Sequence, residues 1–101
     1  MLFHTVFFWL KPDVSAEDEA RFASEVAQLL TITEIAAGHA GHPAGTEARE
    51  VTDHSFHTSL HLQFASQADH DAYQVHPEHH RFVDACKDLW AQVKVYDSQV
   101  G

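Results

Sequence analysis

Residues 2–10 read LFHTVFFWL, a predominantly apolar stretch rich in aromatic residues. Its β-branched and aromatic residues predict a β-strand, which Pro12 brings to an end. Because side chains alternate between the two faces of a strand, its apolar residues fall on both faces. Both faces are therefore predicted to be covered. One face carries Leu2, His4, Val6, Phe8 and Leu10, and the other carries Phe3, Phe7 and Trp9.

The next segment is predicted to be a helix over residues 16–30. Ser15 is a suitable N-cap, Asp18 stands three residues later in the capping-box position, and apolar residues then recur at helical spacing. Residues 31–37 include several β-branched residues and are predicted to form a short second strand. Residues 38–54 contain glycines and a proline and are predicted to be a long loop.

The second half of the chain begins with a strand pattern of period two over residues 56–64. Phe56, Thr58, Leu60, Leu62 and Phe64 share one face of this predicted strand, and His57, Ser59, His61 and Gln63 share the other. Ser66 is predicted to cap a short helix, and Pro77 is predicted to stand in the first turn of another. Residues 91–97 are predicted to form the last strand.

The predicted order is strand, helix, strand, strand, helix, strand within a single domain of residues 1–101. This order is typical of an α+β ferredoxin-like protomer, in which a four-stranded antiparallel sheet carries its helices on one face. The other face would then expose Phe3, Phe7 and Trp9 side by side, an unusual apolar patch for a monomer. A second copy of the sheet is the simplest cover, so the sequence predicts a homodimer.

Composition limits the classes of partner and the location. The formal net charge is -9, from 6 Lys and Arg against 15 Asp and Glu. Nucleic acid and anionic membranes attract clustered positive charge, so we expect neither as a partner. Cys86 is the one cysteine, which excludes an intrachain disulfide, and the apolar start lacks the basic segment of a signal peptide. The cytoplasm is the expected location.

Three segments of the chain resemble the stress-responsive A/B barrel (Dabb) family of dimeric α+β barrels. Residues 4–11, HTVFFWLK, are similar to the family's opening strand with its histidine and closing lysine. Residues 72–79, AYQVHPEH, resemble its Tyr-x-x-His-Pro-x-His signature, and residues 93–97, VKVYD, resemble its closing strand. The resemblance extends over nearly the whole chain. It implies a ferredoxin-like protomer whose sheet pairs with a partner's sheet to close a barrel.

The resemblance also implies a small, mostly apolar pocket in each protomer. A plant member of the family is the cyclase that forms olivetolic acid from a linear polyketide, and its reactive Tyr and His correspond to Tyr73 and His79. These two are therefore the candidate catalytic residues, and no cofactor is expected. The candidate ligand-binding residues are His4, Val6, Phe8, Phe22, Trp90 and Val93.

The chemistry of these residue types leaves several functions open. A neutral His can accept a proton and a Tyr hydroxyl can polarise a carbonyl, which indicates a cofactor-free lyase or cyclase. A monooxygenase that oxidises small aromatic compounds is a second enzymatic alternative. A stress-associated binding protein would use the same pocket without turnover, and Tyr73 would then simply pack with its hydroxyl hydrogen-bonded.

Histidines are also candidate metal ligands. Three of them stand within five residues of one another, close to two acidic side chains: His76, His79 and His80, with Glu78 and Asp84. Imidazole and carboxylate groups bind zinc-like metals, but neither a cysteine nor a His-Glu-x-x-His motif accompanies them. The sequence therefore predicts no metal site here. His70 is predicted to be a surface residue, and Cys86 an unreactive core residue.

Overall fold

A computed structural model describes the whole chain, residues 1–101. The strands are β1 (Leu2–Leu10), β2 (Ala37–Gly41), β3 (Thr58–Phe64) and β4 (Trp90–Gln99), and the helices are α1 (Ala16–Leu29), α2 (Gln67–Gln74) and α3 (Pro77–Cys86). A short 3-10 turn over Lys87–Leu89 joins α3 to β4. None of these helices is long and apolar enough to cross a membrane.

The four strands form one antiparallel sheet in the order β2-β3-β1-β4. β1 lies near the centre, where Val6 pairs with Leu60 of β3 on one side and with Val95 of β4 on the other. The core lies between one face of this sheet and the helices. This arrangement confirms the predicted α+β ferredoxin-like fold.

Helix α1 begins where the sequence predicted. The Ser15 hydroxyl accepts a hydrogen bond from the Asp18 backbone N–H at 3.1 Å, and the Asp18 carboxylate accepts one from the Ser15 backbone N–H at 3.4 Å. This reciprocal pair is a complete capping box. The helix then buries Phe22, Val26 and Leu29 against the sheet.

The even-numbered side chains of β1 form the centre of the core. Leu2, Val6 and Phe8 are buried together with residues of β3 and of the helices. The Phe8 ring packs edge to face on Phe22 and Phe82, with centroid distances of 5.2 and 6.1 Å. Such aromatic pairs stabilise a core beyond the apolar area that they bury.

The prediction of a second strand over residues 31–37 is wrong for all but the last residue. The chain leaves α1 through tight turns, in which the Thr31 hydroxyl and backbone N–H both donate to the Gln28 carbonyl oxygen, at 2.7 and 3.1 Å. Ile32 is buried in the core. The strand forms instead at Ala37–Gly41, which has little β-propensity, because its backbone pairs with β3. The long loop therefore starts later than predicted.

A bend at His57 reverses the predicted faces at the start of β3, because the strand begins only at Thr58. Phe56 consequently packs on Phe7, on the face away from the helices, with ring centroids 5.0 Å apart. His57 lies on the helix side, where its Nε2 stands 3.4 Å from Glu19 Oε1. The sequence alternation predicted the opposite face for both Phe56 and His57.

The sheet face away from the helices carries a cluster of aromatic rings. The Phe7 ring lies against Phe56, His61 and Tyr96, with centroid distances of 5.0, 6.4 and 6.1 Å. Much of this surface is accessible, since Tyr96 is 57% exposed. We call it the aromatic face; it consists of Phe3, Phe7, Trp9, Phe56 and Tyr96.

Candidate functional site

A cavity of about 200 Å³ lies between the sheet and helices α2 and α3, and we call it the Tyr73 cavity. Twelve residues line it, and nine of them are hydrophobic when Tyr73 and Trp90, which also carry a polar group, are included. The polar groups among them belong to five side chains: His4, Tyr73, Gln74, His79 and Trp90. An apolar wall with a few polar groups is typical of a small-molecule site.

The turn between α2 and α3 brings Tyr73 and His79 together. The His76 backbone N–H donates to the Tyr73 carbonyl oxygen at 3.1 Å as α2 ends. His76 then caps α3, since its Nδ1 accepts from the Glu78 backbone N–H at 3.0 Å, and Pro77 takes the first helical position. The chain reverses at this point. As a result, the Tyr73 and His79 rings meet edge to face with centroids 4.8 Å apart.

His79 presents an uncharged imidazole to the cavity. Its Nδ1 is buried and has no hydrogen-bond partner. Burial lowers the pKa of the imidazole, and the neighbouring His80, His4 and His70 lower that pKa further. At neutral pH the ring therefore carries no charge, and one nitrogen can accept a proton.

Tyr73 supplies a hydrogen-bond donor to the same cavity, and Trp90 forms part of its wall. Tyr73 is 1% exposed, and burial raises the pKa of its hydroxyl, which therefore keeps its proton at neutral pH. The Trp90 ring also lines the cavity, and its Nε1 is buried without a partner. The Tyr73 hydroxyl is thus a protonated donor next to the neutral imidazole of His79 in the same cavity.

His4 lies on β1 next to Tyr73, with ring centroids 5.8 Å apart. It is 3% exposed, and its Nδ1 stands 2.5 Å from Asp97 Oδ1 on β4. Because a carboxylate only accepts, Nδ1 carries the shared proton and the neutral ring keeps its lone pair on Nε2. Burial lowers the pKa of His4, and the hydrogen bond and charge of Asp97 oppose that shift. Asp97 therefore orients the His4 ring.

The structure brings seven of the eight candidate site residues to this cavity: His4, Val6, Phe8, Tyr73, His79, Trp90 and Val93. The eighth, Phe22, does not line it. The Phe22 ring contacts the ring of Phe8 edge to face and lines a second cavity, of about 370 Å³, beside α1. Sequence reasoning missed Phe82 and Val83, although their spacing of three and four residues from His79 places them on the same face of α3.

The three histidines that lie close in sequence, His76, His79 and His80, do not form a common metal-binding group in the structure. His76 Nδ1 is occupied by the cap of α3, and His80 is exposed. A different group of possible metal ligands forms from His4, His70 and Asp97. The prediction that His70 is a surface residue is wrong, since its side chain is 12% exposed. It precedes Tyr73 by three residues on α2, and that spacing is the signal that could have revealed its position.

Comparison with known proteins agrees with the observed fold. The family model described as the Stress Responsive A/B Barrel Domain (Dabb) matches residues 2–100. No curated protein is significantly similar to the chain.

Three solved structures illustrate the likeness. A Dabb family protein with a ferredoxin-like fold from Mesorhizobium loti is 25% identical with a TM-score of 0.77, covering 99% of this chain and 97% of that one. A dimeric ferredoxin-like protein of unknown function from Thermobifida fusca is 15% identical with a TM-score of 0.80, covering 98% and 90%. The hydroxynitrile lyase of Passiflora edulis is 18% identical with a TM-score of 0.82, covering 99% and 93%.

Proposed function

The chain belongs to the stress-responsive A/B barrel family, and on that premise we propose that its Tyr73 cavity binds a small carbonyl compound and removes a proton from it. His79 is the general base, Tyr73 is the hydrogen-bond donor to the carbonyl, and His4 orients the ligand. The observation that carries the proposal is that the His79 and Tyr73 rings line the same cavity with their centroids 4.8 Å apart.

The proposed step breaks a C–H bond next to the carbonyl. The proton passes to the neutral imidazole of His79, and the electron pair moves through the carbonyl carbon to the oxygen. The Tyr73 O–H stabilises the resulting oxyanion. The enolate then forms a C–C bond within the same molecule or expels a leaving group, which are the cyclase and lyase outcomes. His79 returns its proton to the product.

The size of the cavity limits the substrate. Its volume of about 200 Å³ suits a compound with one ring or a short chain. The predominantly apolar wall favours an aromatic or aliphatic body with one oxygen function. One solved structure with this fold is a hydroxynitrile lyase, so the fold is compatible with a lyase reaction.

Hydrogen–deuterium exchange tests the proton transfer without knowledge of the natural substrate. Acetophenone, cyclohexanone and acetylacetone are incubated with the protein in D2O, and loss of the α-proton signal is followed by NMR. We expect accelerated exchange of at least one compound by the wild type. His79→Gln should slow it by about 10²–10⁴-fold, and Tyr73→Phe by about 10²-fold.

His39→Gln is the matched control, because His39 is exposed on β2 and does not line the cavity. It should exchange these compounds as the wild type does. Ligand binding detected by saturation-transfer NMR without any accelerated exchange would contradict the enzymatic proposal and favour the binding protein.

We further propose that two copies of the chain pair through the aromatic face. Phe3 and Tyr96 are 37% and 57% exposed in the protomer, and a contiguous aromatic surface of this kind marks an interface. A solved structure with this fold is dimeric. Size-exclusion chromatography with light scattering should give twice the protomer mass, and a monomer mass at every concentration would rule out the pairing.

A further inference from the structure

A second polar cluster lies next to the Tyr73 cavity, on the Nδ1 side of the His4 ring. His4, His70 and Asp97 each offer one ligand atom, and these atoms all lie within 4.8 Å of one another. The three residues come from β1, α2 and β4. The group therefore exists only in the folded protein, and folding holds its members together whether or not anything binds there.

His70 has the hydrogen-bonding pattern of a metal-binding histidine. Its Nδ1 lies 3.1 Å from Asp71 Oδ1, while its Nε2 is buried and has no partner. Because the carboxylate accepts the Nδ1 proton, the neutral ring keeps a lone pair on Nε2. Histidines that bind metals commonly donate one ring N–H to a carboxylate in this way while the other nitrogen binds the ion.

We propose that His4 Nδ1, His70 Nε2 and a carboxylate oxygen of Asp97 bind one divalent transition metal ion of the zinc class. Two histidines and one carboxylate are the ligand set of zinc and iron(II) sites that keep a coordination position open. The open position would be accessible to water through an adjoining pocket of about 260 Å³, which His70 and Asp97 line. The site shares His4 with the Tyr73 cavity, but zinc binding can be measured whether or not the function proposed for that cavity is correct.

Small side-chain movements suffice to form the site. Tetrahedral zinc with ligands at 2.0–2.1 Å places neighbouring ligand atoms about 3.3 Å apart. His4 Nδ1 and Asp97 Oδ1, now 2.5 Å apart, must therefore separate, whereas the widest pair in the group, at up to 4.8 Å, must approach. Asp97 can make this adjustment, because its side chain is 44% exposed at the outer strand of the sheet.

Metal binding would also change the hydrogen-bonding character of His4. Without metal, Nδ1 carries the proton that Asp97 accepts, and Nε2 has the lone pair. With the ion on Nδ1, the neutral ring carries its proton on Nε2. The His4 ring lines the Tyr73 cavity, so the ion converts one of its polar groups from an acceptor into a donor.

Zinc titration of the full chain, in competition with a chromophoric chelator, tests the site directly. We expect the wild type to bind one zinc ion per chain. His70→Ala should weaken binding by at least about 100-fold and Asp71→Asn by about 10-fold, since loss of an orienting carboxylate typically costs 10–100-fold. Long-range ¹H–¹⁵N NMR should show the His4 proton move from Nδ1 to Nε2 as zinc is added.

His80→Ala is the matched control, since His80 is an exposed histidine outside the proposed site. It should bind zinc within about twofold of the wild type. Should His70→Ala disturb folding, Asp71→Asn decides the question, because the Asp71 side chain is 64% exposed. Unchanged zinc affinity in Asp71→Asn, loss of binding in His80→Ala, or an unchanged His4 tautomer would each overturn the proposal.

Discussion

The two faces of β1 carry equally large aromatic side chains but end in different environments. Phe8 points to the helices, contacts Phe22 and Phe82, and is 2% exposed. Phe7, the adjacent residue, points away from the helices, contacts Phe56 and stays half-buried. One face is thus covered by the chain's own helices, and the other is the face through which we propose that two copies pair. Alternation alone separates the two sets of rings, but only the helices decide which set becomes the core.

The same comparison explains where the polar groups of the site lie. His4 belongs to the helix-covered face and is 3% exposed, with Asp97 holding its ring. His61 lies on the aromatic face and is exposed, bonding to the Ser59 hydroxyl at 3.0 Å. A buried imidazole is desolvated and oriented, whereas an exposed one is solvated. The proposed chemistry therefore belongs to the covered face.

Truncation of Phe8 should have the largest effect, because this ring is fully buried within one protomer. Phe8→Ala is expected to lower the free energy of unfolding by about 3–5 kcal/mol. Urea denaturation followed by circular dichroism measures the loss, which should be the same at every protein concentration. A loss below 1 kcal/mol would mean that Phe8 is not the centre of the core.

A charge on the aromatic face should act on association instead. Phe7→Asp is expected to weaken the dimer by about 100-fold or more, because the pairing would bury two unpaired carboxylates. Sedimentation velocity over a concentration series measures the change. Ala27→Asp, on the exposed side of α1, is the control and should leave association unaltered. Equal association of Phe7→Asp and wild type would show that this face is not the interface.

Two glycines of β2 extend the comparison to the edge of the sheet. A Cβ on Gly38 would stand 2.9 Å from Leu30 Cδ2 and 3.1 Å from Leu62 Cδ2, on the covered face. Gly38→Ala should therefore destabilise the protein by about 1–2 kcal/mol. Gly41→Ala meets only Ser59 Oγ, at 3.3 Å, and should change stability by less than about 1 kcal/mol. Thermal unfolding of both variants gives the difference, and equal losses would contradict this assignment of faces.

Acid should lower the stability of the protein through His79 on the covered face. We expect this effect to be smaller than those of the substitutions above. Burial lowers the pKa of His79 in the folded state, so the unfolded chain takes up its proton first as the pH falls. The neutral His79 ring contributes fully to the free energy of unfolding above about pH 6.5, and this contribution is lost as the pH falls through the lowered pKa. His79→Gln should make stability less dependent on pH in that range, while His39→Gln, an exposed control, should not. Parallel curves for His79→Gln and wild type, from urea titrations at several pH values, would contradict the desolvation of this ring.

Much of the fold could be predicted because its signals are local. The capping box of Ser15, the cap at Ser66 and the break at Pro77 act within a few residues of chain, and all three occur where predicted. The strand predicted over residues 31–37 is wrong because the turns that follow α1 outweigh the β-propensity of its β-branched residues. The predicted sheet face of His57 is wrong because the chain bends at this residue, which interrupts the alternation of side chains, and the sequence alone does not reveal the bend.

The candidate site likewise contains residues whose proximity local sequence explains and residues that only long-range packing brings together. Tyr73 and His79 come from one short segment, and the turn at His76 explains why they meet. His70 and Asp97 could not be placed beside His4 from the sequence, because they lie 66 and 93 residues from it. Only their helix and strand, once packed, bring them to within a few ångströms.

Local sequence accounts for the two apolar faces of β1, the helix starts and the turn between Tyr73 and His79, because each depends on neighbours in the chain. Tertiary structure alone decided that Ala37–Gly41 is a strand, that Phe56 joins the aromatic face and that His4, His70 and Asp97 form one group. These outcomes depend on backbone pairing and on packing between distant segments. The energies of those contacts exceed local preference, so local preference could not reveal them.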